Sequence, residues 1–186
     1  MPLIILDRDG VINEDSDDFI KSPDEWQPLP GSLEAIAQLN NAGWQVVVAT
    51  NQSGISRKLY DLDTLHAIHD KMHRMLLEYG GNIEAVFFCP HGPNDKCDCR
   101  KPLPGLFDQI AARLNTSLKG VPAIGDSLRD IQAAKTVGAQ PVLVRTGKGT
   151  RTLYAEEETL HGVPVYCDLK QAVSALLSGN ILKNLI

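Results

Sequence analysis

The sequence predicts an α/β fold, doubly wound and built on a mainly parallel sheet. Three observations carry that expectation. Short uninterrupted aliphatic runs such as Leu3–Leu6 and Val46–Ala49 recur without alternation, as strands buried on both faces do. Stretches with helical spacing of apolar residues separate them, and alternating strands and helices argue a parallel sheet. The first, second and fourth runs end in Asp7, Thr50 and Gly125-Asp126, and in open parallel sheets ligands gather beyond the carboxyl ends of the strands.

The totals set bounds. A chain of 186 residues is near the size of one domain, and 1–186 is read as a single domain. A net charge of −5 with no lysine or arginine run speaks against a nucleic-acid partner. No apolar stretch approaches the roughly 20 residues that cross a bilayer. Asp7 and Arg8 follow the first apolar run at once, unlike a signal peptide. A cytoplasmic monomer acting on a small molecule is the expectation.

The first strand, Leu3–Leu6, feeds Asp7-Arg8-Asp9-Gly10, where the glycine permits a sharp turn. Strand alternation puts Asp7 and Asp9 on one side and Arg8 away from them. Two such carboxylates repel unless a cation joins them, which implies a metal. Glu14 to Pro30, acidic and rich in proline, reads as a solvated surface loop or flap near the site. Pro30-Gly31-Ser32 opens a helix that Gly43 ends, and Gln45–Ala49 is the second strand. A longer helix runs from about Asp63 to Tyr79, with His66, His69 and His73 as surface residues.

Further strands are expected at Ala85–Phe88, Pro122–Ile124, Pro141–Val144 and within Val163–Tyr166. Helices are expected over Leu106–Leu114, Ser127–Val137 and Leu169–Leu177, with Gly138 closing the second. Cys167 reads as an isolated buried residue, and the apolar tail from Ile181 to Ile186 as packed.

Three further clusters carry chemistry. Thr50-Asn51-Gln52-Ser53-Gly54 sets a hydroxyl at a strand end before a loop of backbone N–H groups, a cradle for phosphate. Cys89-x-His91-x5-Cys97-x-Cys99 offers three sulfurs and one imidazole, the tetrahedral set zinc prefers. With all four ligands from protein no position stays open, so the ion is structural and pins a loop with little core. Arg100-Lys101 follows directly, and Lys101 can neutralise a phosphate that the Asp7 carboxylate must approach. Asp126, ending another short strand, is a helix cap on its plainest reading.

Taken together, Asp7-x-Asp9-Gly10, Thr50, Lys101 and Gly125-Asp126-x-x-x-Asp130 resemble, in order, the four motifs of the haloacid dehalogenase superfamily of phosphohydrolases. Thr50-Asn51-Gln52-Ser53-Gly54-Ile55 and the cysteine–histidine loop are similar to a sugar-bisphosphate phosphatase branch. The resemblance implies a Rossmann-like core with no large cap domain. It implies Mg2+ held by Asp7, Asp126 and the backbone carbonyl of Asp9, with Asp130 in support. Asp7 is then the nucleophile and Asp9 the acid/base. Phosphate binding falls to Thr50, Asn51, Gln52, Ser53 and Lys101, with Arg100 and Arg57 or Lys58 on the remote phosphate. Lys58 and Ser127 depart from the branch, which commonly has glycine at the first position and in several relatives has lysine at the second. Competing readings are a histidinol-phosphate phosphatase, a polynucleotide 3′-phosphatase and a non-enzymatic zinc-stabilised interaction module.

Overall fold

The computed structural model describes residues 1–155 and 158–181. Six strands, β1 (Leu3–Leu6), β2 (Gln45–Asn51), β3 (Ala85–Cys89), β4 (Pro122–Gly125), β5 (Gln140–Val144) and β6 (Val165–Tyr166), form one sheet in the order β3-β2-β1-β4-β5-β6. All neighbours are parallel. β1 lies between β2 and β4, with Ile5 opposite Val47 on one side and Ala123 on the other.

Both faces are covered, which is why the strands lack alternation. Ile4, Leu6, Val46 and Val48 face helices α1 (Ser32–Asn41), α2 (Leu62–Glu78) and α6 (Leu169–Leu177). Leu3, Ile5, Val47 and Ala49 face α3 (Gly105–Leu114) and α4 (Leu128–Thr136). The order turns around at β1: the chain goes from β1 to β2 on one side, then crosses to β4 on the other. A crevice opens at that reversal, beyond the strand ends. Among the described residues no inserted cap domain covers it.

Several expectations are corrected. The second strand runs on to Asn51, which places Thr50 and Asn51 within it. Loop 14–31 is irregular as expected but well anchored. Ile20 and Trp26 are buried in the core, and Lys71 Nζ donates to Pro23 O at 2.7 Å and Trp26 O at 2.8 Å. Helix α5 (Gly149–Tyr154) was not expected. Ser127, not Asp126, caps α4. Cys167 is exposed, because β6 ends at Tyr166 and the chain is already turning into α6. Of the expected apolar tail, Ile181 packs against the core, while 182–186 lies outside the described residues.

Candidate functional site

The crevice is a cavity of about 240 Å³ that brings together residues from the ends of β1, β2 and β4 with the Lys101 loop. Lys101, almost wholly buried, sends its ammonium to Asp7 Oδ1 at 3.0 Å, Asp130 Oδ1 at 2.5 Å and Ala49 O at 2.6 Å. Arg8 N also donates to Asp7 Oδ1, at 2.7 Å. Two donors thus fix one oxygen of Asp7, and Oδ2 accepts no hydrogen bond from the described residues. Oxygens of Asp7, Asp126 and Asp130 lie within 4.8 Å of one another.

That crowding has electrostatic consequences. Burial, reinforced by Asp130 and Asp9 and opposed by Lys101, pushes Asp7 up to about 7. Burial with Asp130 and Asp7 pushes Asp126 up to about 8. Burial opposes the charge on Lys101 and Asp130 alike, but their mutual attraction wins, raising the lysine and lowering the acid. One ammonium is too little for three acids, and a divalent cation with oxygen ligands suits the surplus. The backbone leaves space beside them: a β-carbon on Gly10 or Gly147 would stand 2.1 Å or 2.2 Å from Asp126 Oδ2. Gly10 also has φ 80°, where side chains are strained.

Asp9 reaches the same cavity by a turn, because the strand stops at Leu6. Arg8 accordingly does not point away. It is fully buried and curls back, with Nε 3.1 Å from Asp9 Oδ1 and Nη2 2.9 Å and 3.0 Å from the two carboxylate oxygens. Asn13 Nδ2 donates to Oδ1 at 2.9 Å. Burial works against the charge on Asp9, but Arg8, Asn13 and Gln52 hold it below the usual carboxylate range.

The Thr50–Ser53 segment divides its labour. Gln52 Nε2 donates to Asp9 Oδ2 and Thr50 Oγ1, both at 2.9 Å, and its Oε1 accepts from Arg8 and Tyr60. Its backbone N–H is also committed, to Cys89 O. Gln52 therefore lines the cavity without a free donor for phosphate. Thr50, which accepts from Gln52, keeps its own hydroxyl proton for a ligand. Asn51 exchanges two bonds with the backbone of Lys101 and so positions that loop. Ser53 lines the cavity, as does Arg57, whose guanidinium lies 5.5 Å from the Phe19 ring centroid. Lys58 lines a different surface pocket.

The cysteine–histidine loop converges as its spacing predicts. Cys99 Sγ is 3.0 Å from Cys89 Sγ and 3.3 Å from His91 Nδ1, and Cys89 Sγ is 4.0 Å from Cys97 Sγ. None is in a disulfide. Zinc–sulfur bonds of about 2.3 Å in a tetrahedron put sulfurs about 3.8 Å apart, close to the Cys89–Cys97 spacing and wider than the Cys89–Cys99 one, so the donor set suits that ion once the second pair opens. Arg100 Nη1 donates to His91 O at 3.1 Å, joining this knot to the cavity wall.

Comparisons with known proteins give the chain its family. A family model described as polynucleotide kinase 3 phosphatase matches residues 3–128, and one described as HAD-hydrolase-like matches 98–172. A Bordetella bronchiseptica protein named D-glycero-beta-D-manno-heptose-1,7-bisphosphate 7-phosphatase is 59% identical over 95% of this chain and 98% of its own. A Pseudomonas aeruginosa protein of the same name is 53% identical over 94% and 97%. The crystal structure of the D,D-heptose 1,7-bisphosphate phosphatase from B. bronchiseptica, complexed with magnesium and phosphate, superposes with a TM-score of 0.94, covering 96% of this chain and 99% of that one. The chain belongs to the heptose-1,7-bisphosphate 7-phosphatase family of the haloacid dehalogenase superfamily. A Burkholderia thailandensis enzyme, called D,D-heptose 1,7-bisphosphate phosphatase like the Bordetella one, is 47% identical at a TM-score of 0.76, over 96% of this chain and 99% of that one.

Within this family frame, some cavity residues escaped the sequence reading. Lys148 donates through its backbone to Asp126 Oδ2 at 2.7 Å and pairs through Nζ with Asp15, so part of the acidic loop is engaged. Arg129 lines the cavity near Arg100. Burial and the charges of Arg129 and Arg57 press Arg100 below its ordinary value, opposed by Cys89 and Cys97. His69, read as a surface histidine, is buried against Arg8. The Gly147-Lys148-Gly149 run was the available signal for the first of these; the others carry no local pattern.

Proposed function

We propose that this protein is a magnesium-dependent phosphatase that removes the 7-phosphate of D-glycero-β-D-manno-heptose 1,7-bisphosphate through an aspartyl-phosphate on Asp7. The observation that carries the reading is the Lys101 ammonium between Asp7 and Asp130, beside the Asp126 carboxylate. Oδ1 of Asp7 is held by Lys101 and Arg8 N, which leaves Oδ2 to attack phosphorus. The Thr50 hydroxyl binds a phosphoryl oxygen, and the charge of Lys101, whose three N–H groups are held by Asp7, Asp130 and Ala49 O, offsets that of the phosphoryl group. Asp9 gives a proton to the departing sugar oxygen and then takes one from the water that hydrolyses the intermediate. Arg8 favours the ionised form that the second of these steps needs and opposes the protonated form that the first needs.

Asp7, Asp126 and the Asp9 carbonyl would hold magnesium, with Asp130 in support; when bound, the ion offsets the charge of the phosphoryl group and of the acids. Zinc on Cys89, His91, Cys97 and Cys99 is structural. Arg100, Arg57 and Arg129 face the remote phosphate. We place the protein in the cytoplasm as a single-domain monomer without a nucleic-acid partner. Among the described residues no helix is long and apolar enough to cross a membrane.

The polynucleotide 3′-phosphatase reading has one observation in its favour, the family model over residues 3–128. The net charge of −5 and the Asp15–Lys148 pair in the cavity lining, which occupies a cation, weigh against a DNA strand there. The deciding experiment is phosphate release with magnesium on both anomers of the heptose bisphosphate, histidinol phosphate and a 3′-phosphorylated oligonucleotide. The β-anomer is expected to have the highest kcat/KM, and Asp7→Asn to abolish turnover. Preference for another substrate, or an active Asp7→Asn protein, overturns the reading.

A further inference from the structure

Behind the catalytic face lies a buried polar network in which the reaction as written gives no part to His69 or Tyr60. Arg8 is its hub. Besides the three contacts to Asp9, its Nη2 donates to Gln52 Oε1 at 3.1 Å, and its Nη1 lies 3.2 Å from His69 Nε2. A guanidinium keeps its protons, so His69 Nε2 must accept and the imidazole proton sits on Nδ1. Burial, then the charge of Arg8, holds His69 neutral, down at about 3. Gln52 Oε1 takes its second bond from the Tyr60 hydroxyl at 2.6 Å. Burial raises that phenol to about 12, so it remains a donor.

Every valence of the Gln52 amide is therefore filled, two as acceptor and two as donor. Its orientation follows from Tyr60 on one side and from Thr50 and Asp9 on the other. Tyr60 is in turn locked by Gly54, where a β-carbon would lie 2.2 Å from the ring. His69 rides on α2 and packs near Phe88 of β3, ring centroids 6.4 Å apart. Loop, helix and sheet all converge on a single carboxylate whose side chain keeps 20% of its surface open to the cavity.

We propose that Tyr60 and His69 are positioning residues for Asp9, acting through Gln52 and Arg8 to fix the plane of its carboxylate. The inference rests on the phosphatase reading and on Asp9 as proton donor to the leaving oxygen. Oδ1 is gripped by Arg8 and Asn13, Oδ2 by Arg8 and Gln52, so the group cannot rotate without breaking bonds on both sides. A proton transferred in flight needs that geometry.

Leaving-group dependence provides the test. kcat/KM covers the steps up to departure of the leaving group. A sugar or alkyl phosphate needs its oxygen protonated there, whereas 2,4-dinitrophenyl phosphate does not. Tyr60→Phe is expected to lower kcat/KM on the alkyl phosphate by about three- to ten-fold, the value of one neutral hydrogen bond, and His69→Leu, which loses a bond to a guanidinium, by about ten-fold or more. The same variants should leave the dinitrophenyl substrate within about two-fold. His69→Gln, which can still accept from Arg8, should recover most of the loss. Equal losses on both substrates would reduce the network to a structural role and overturn the proposal, as would no loss at all. A rise on the alkyl phosphate would overturn it too, since the clamp would then be holding Asp9 away from the reaction. Tyr60→Phe removes one hydroxyl and keeps the ring, so the test stands even if His69→Leu fails to fold. A wild-type protein inactive on both substrates would instead overturn the phosphatase reading itself.

Discussion

Asn51 and Lys101 grip each other by a reciprocal pair of hydrogen bonds, each 3.0 Å, between the Asn51 carboxamide and the Lys101 backbone. The end of β2 thereby sets where the loop after the zinc knot delivers its lysine. Asn51→Ala removes both bonds at about 1 kcal/mol each. The expected result is a roughly ten-fold or larger fall in kcat/KM on any phosphate ester, since Lys101 serves the reacting phosphoryl group. Steady-state kinetics beside a thermal melt would check it; loss of stability with unchanged kcat/KM would show that Lys101 holds its place without Asn51.

Zinc removal should act on the same loop from its other end. Elemental analysis is expected to find one zinc per chain. Chelation followed by restored magnesium should lower Tm by roughly 10 °C or more, given about 2–4 °C per kcal/mol in a domain of this size and the folding energy that a structural zinc supplies. Activity should fall as well, because Arg100 and Lys101 follow the last ligand directly. A zinc-free preparation that melts and turns over normally would contradict the assignment.

His69 links stability to pH. Unfolded, it titrates near 6.5; folded, burial and Arg8 hold it at about 3. Between those values the unfolded chain binds a proton that the native state refuses, so stability falls as pH drops below 6.5, by up to about 1.4 kcal/mol per pH unit. His69→Gln lacks that titration and keeps an acceptor for Arg8. Urea denaturation at pH 7.5 and pH 5 should show the variant gaining roughly 1–2 kcal/mol on the wild type over that interval. A gap independent of pH would mean that the imidazole is not buried as a neutral acceptor.

What was legible in the sequence was local. Unalternating aliphatic runs, the acids at their ends and the spacing of Cys89, His91, Cys97 and Cys99 each declare themselves within a dozen residues. The errors came where distant segments meet. Strand alternation extended past Leu6 puts Arg8 on the far side, but the chain has already turned there. His69 looked like a surface histidine because nothing near it in sequence names Arg8 as its partner, 61 positions away. By sequence Gln52 is a free donor, but Asp9, Thr50, Arg8 and Tyr60 fill its amide. Arg129 carried no signal, since a lone arginine on a helix is ordinarily solvated.

Arg129 bears on the last prediction, which concerns the phosphate that is not cut. Lys101 is buried among Asp7, Asp130 and Ala49 O and cannot reach beyond the reacting group. The remote phosphate of a bisphosphate must then be met at the cavity wall, where Arg57, Arg100 and Arg129 stand. Arg100 is the best placed to hold still, because its bond to His91 O ties it to the zinc knot. Its planar fork also suits paired phosphate oxygens. Arg100→Ala is expected to lower kcat/KM on the bisphosphate by roughly ten- to hundred-fold more than on a small monophosphate, the worth of a charge-assisted bond of about 1.5–3 kcal/mol. Adding Arg129→Ala should deepen the deficit on the bisphosphate and spare the monophosphate again. Equal losses on both substrates would place Arg100 in the service of the zinc loop or the reacting phosphate, and the recognition of a second phosphate would have to be sought elsewhere in the cavity.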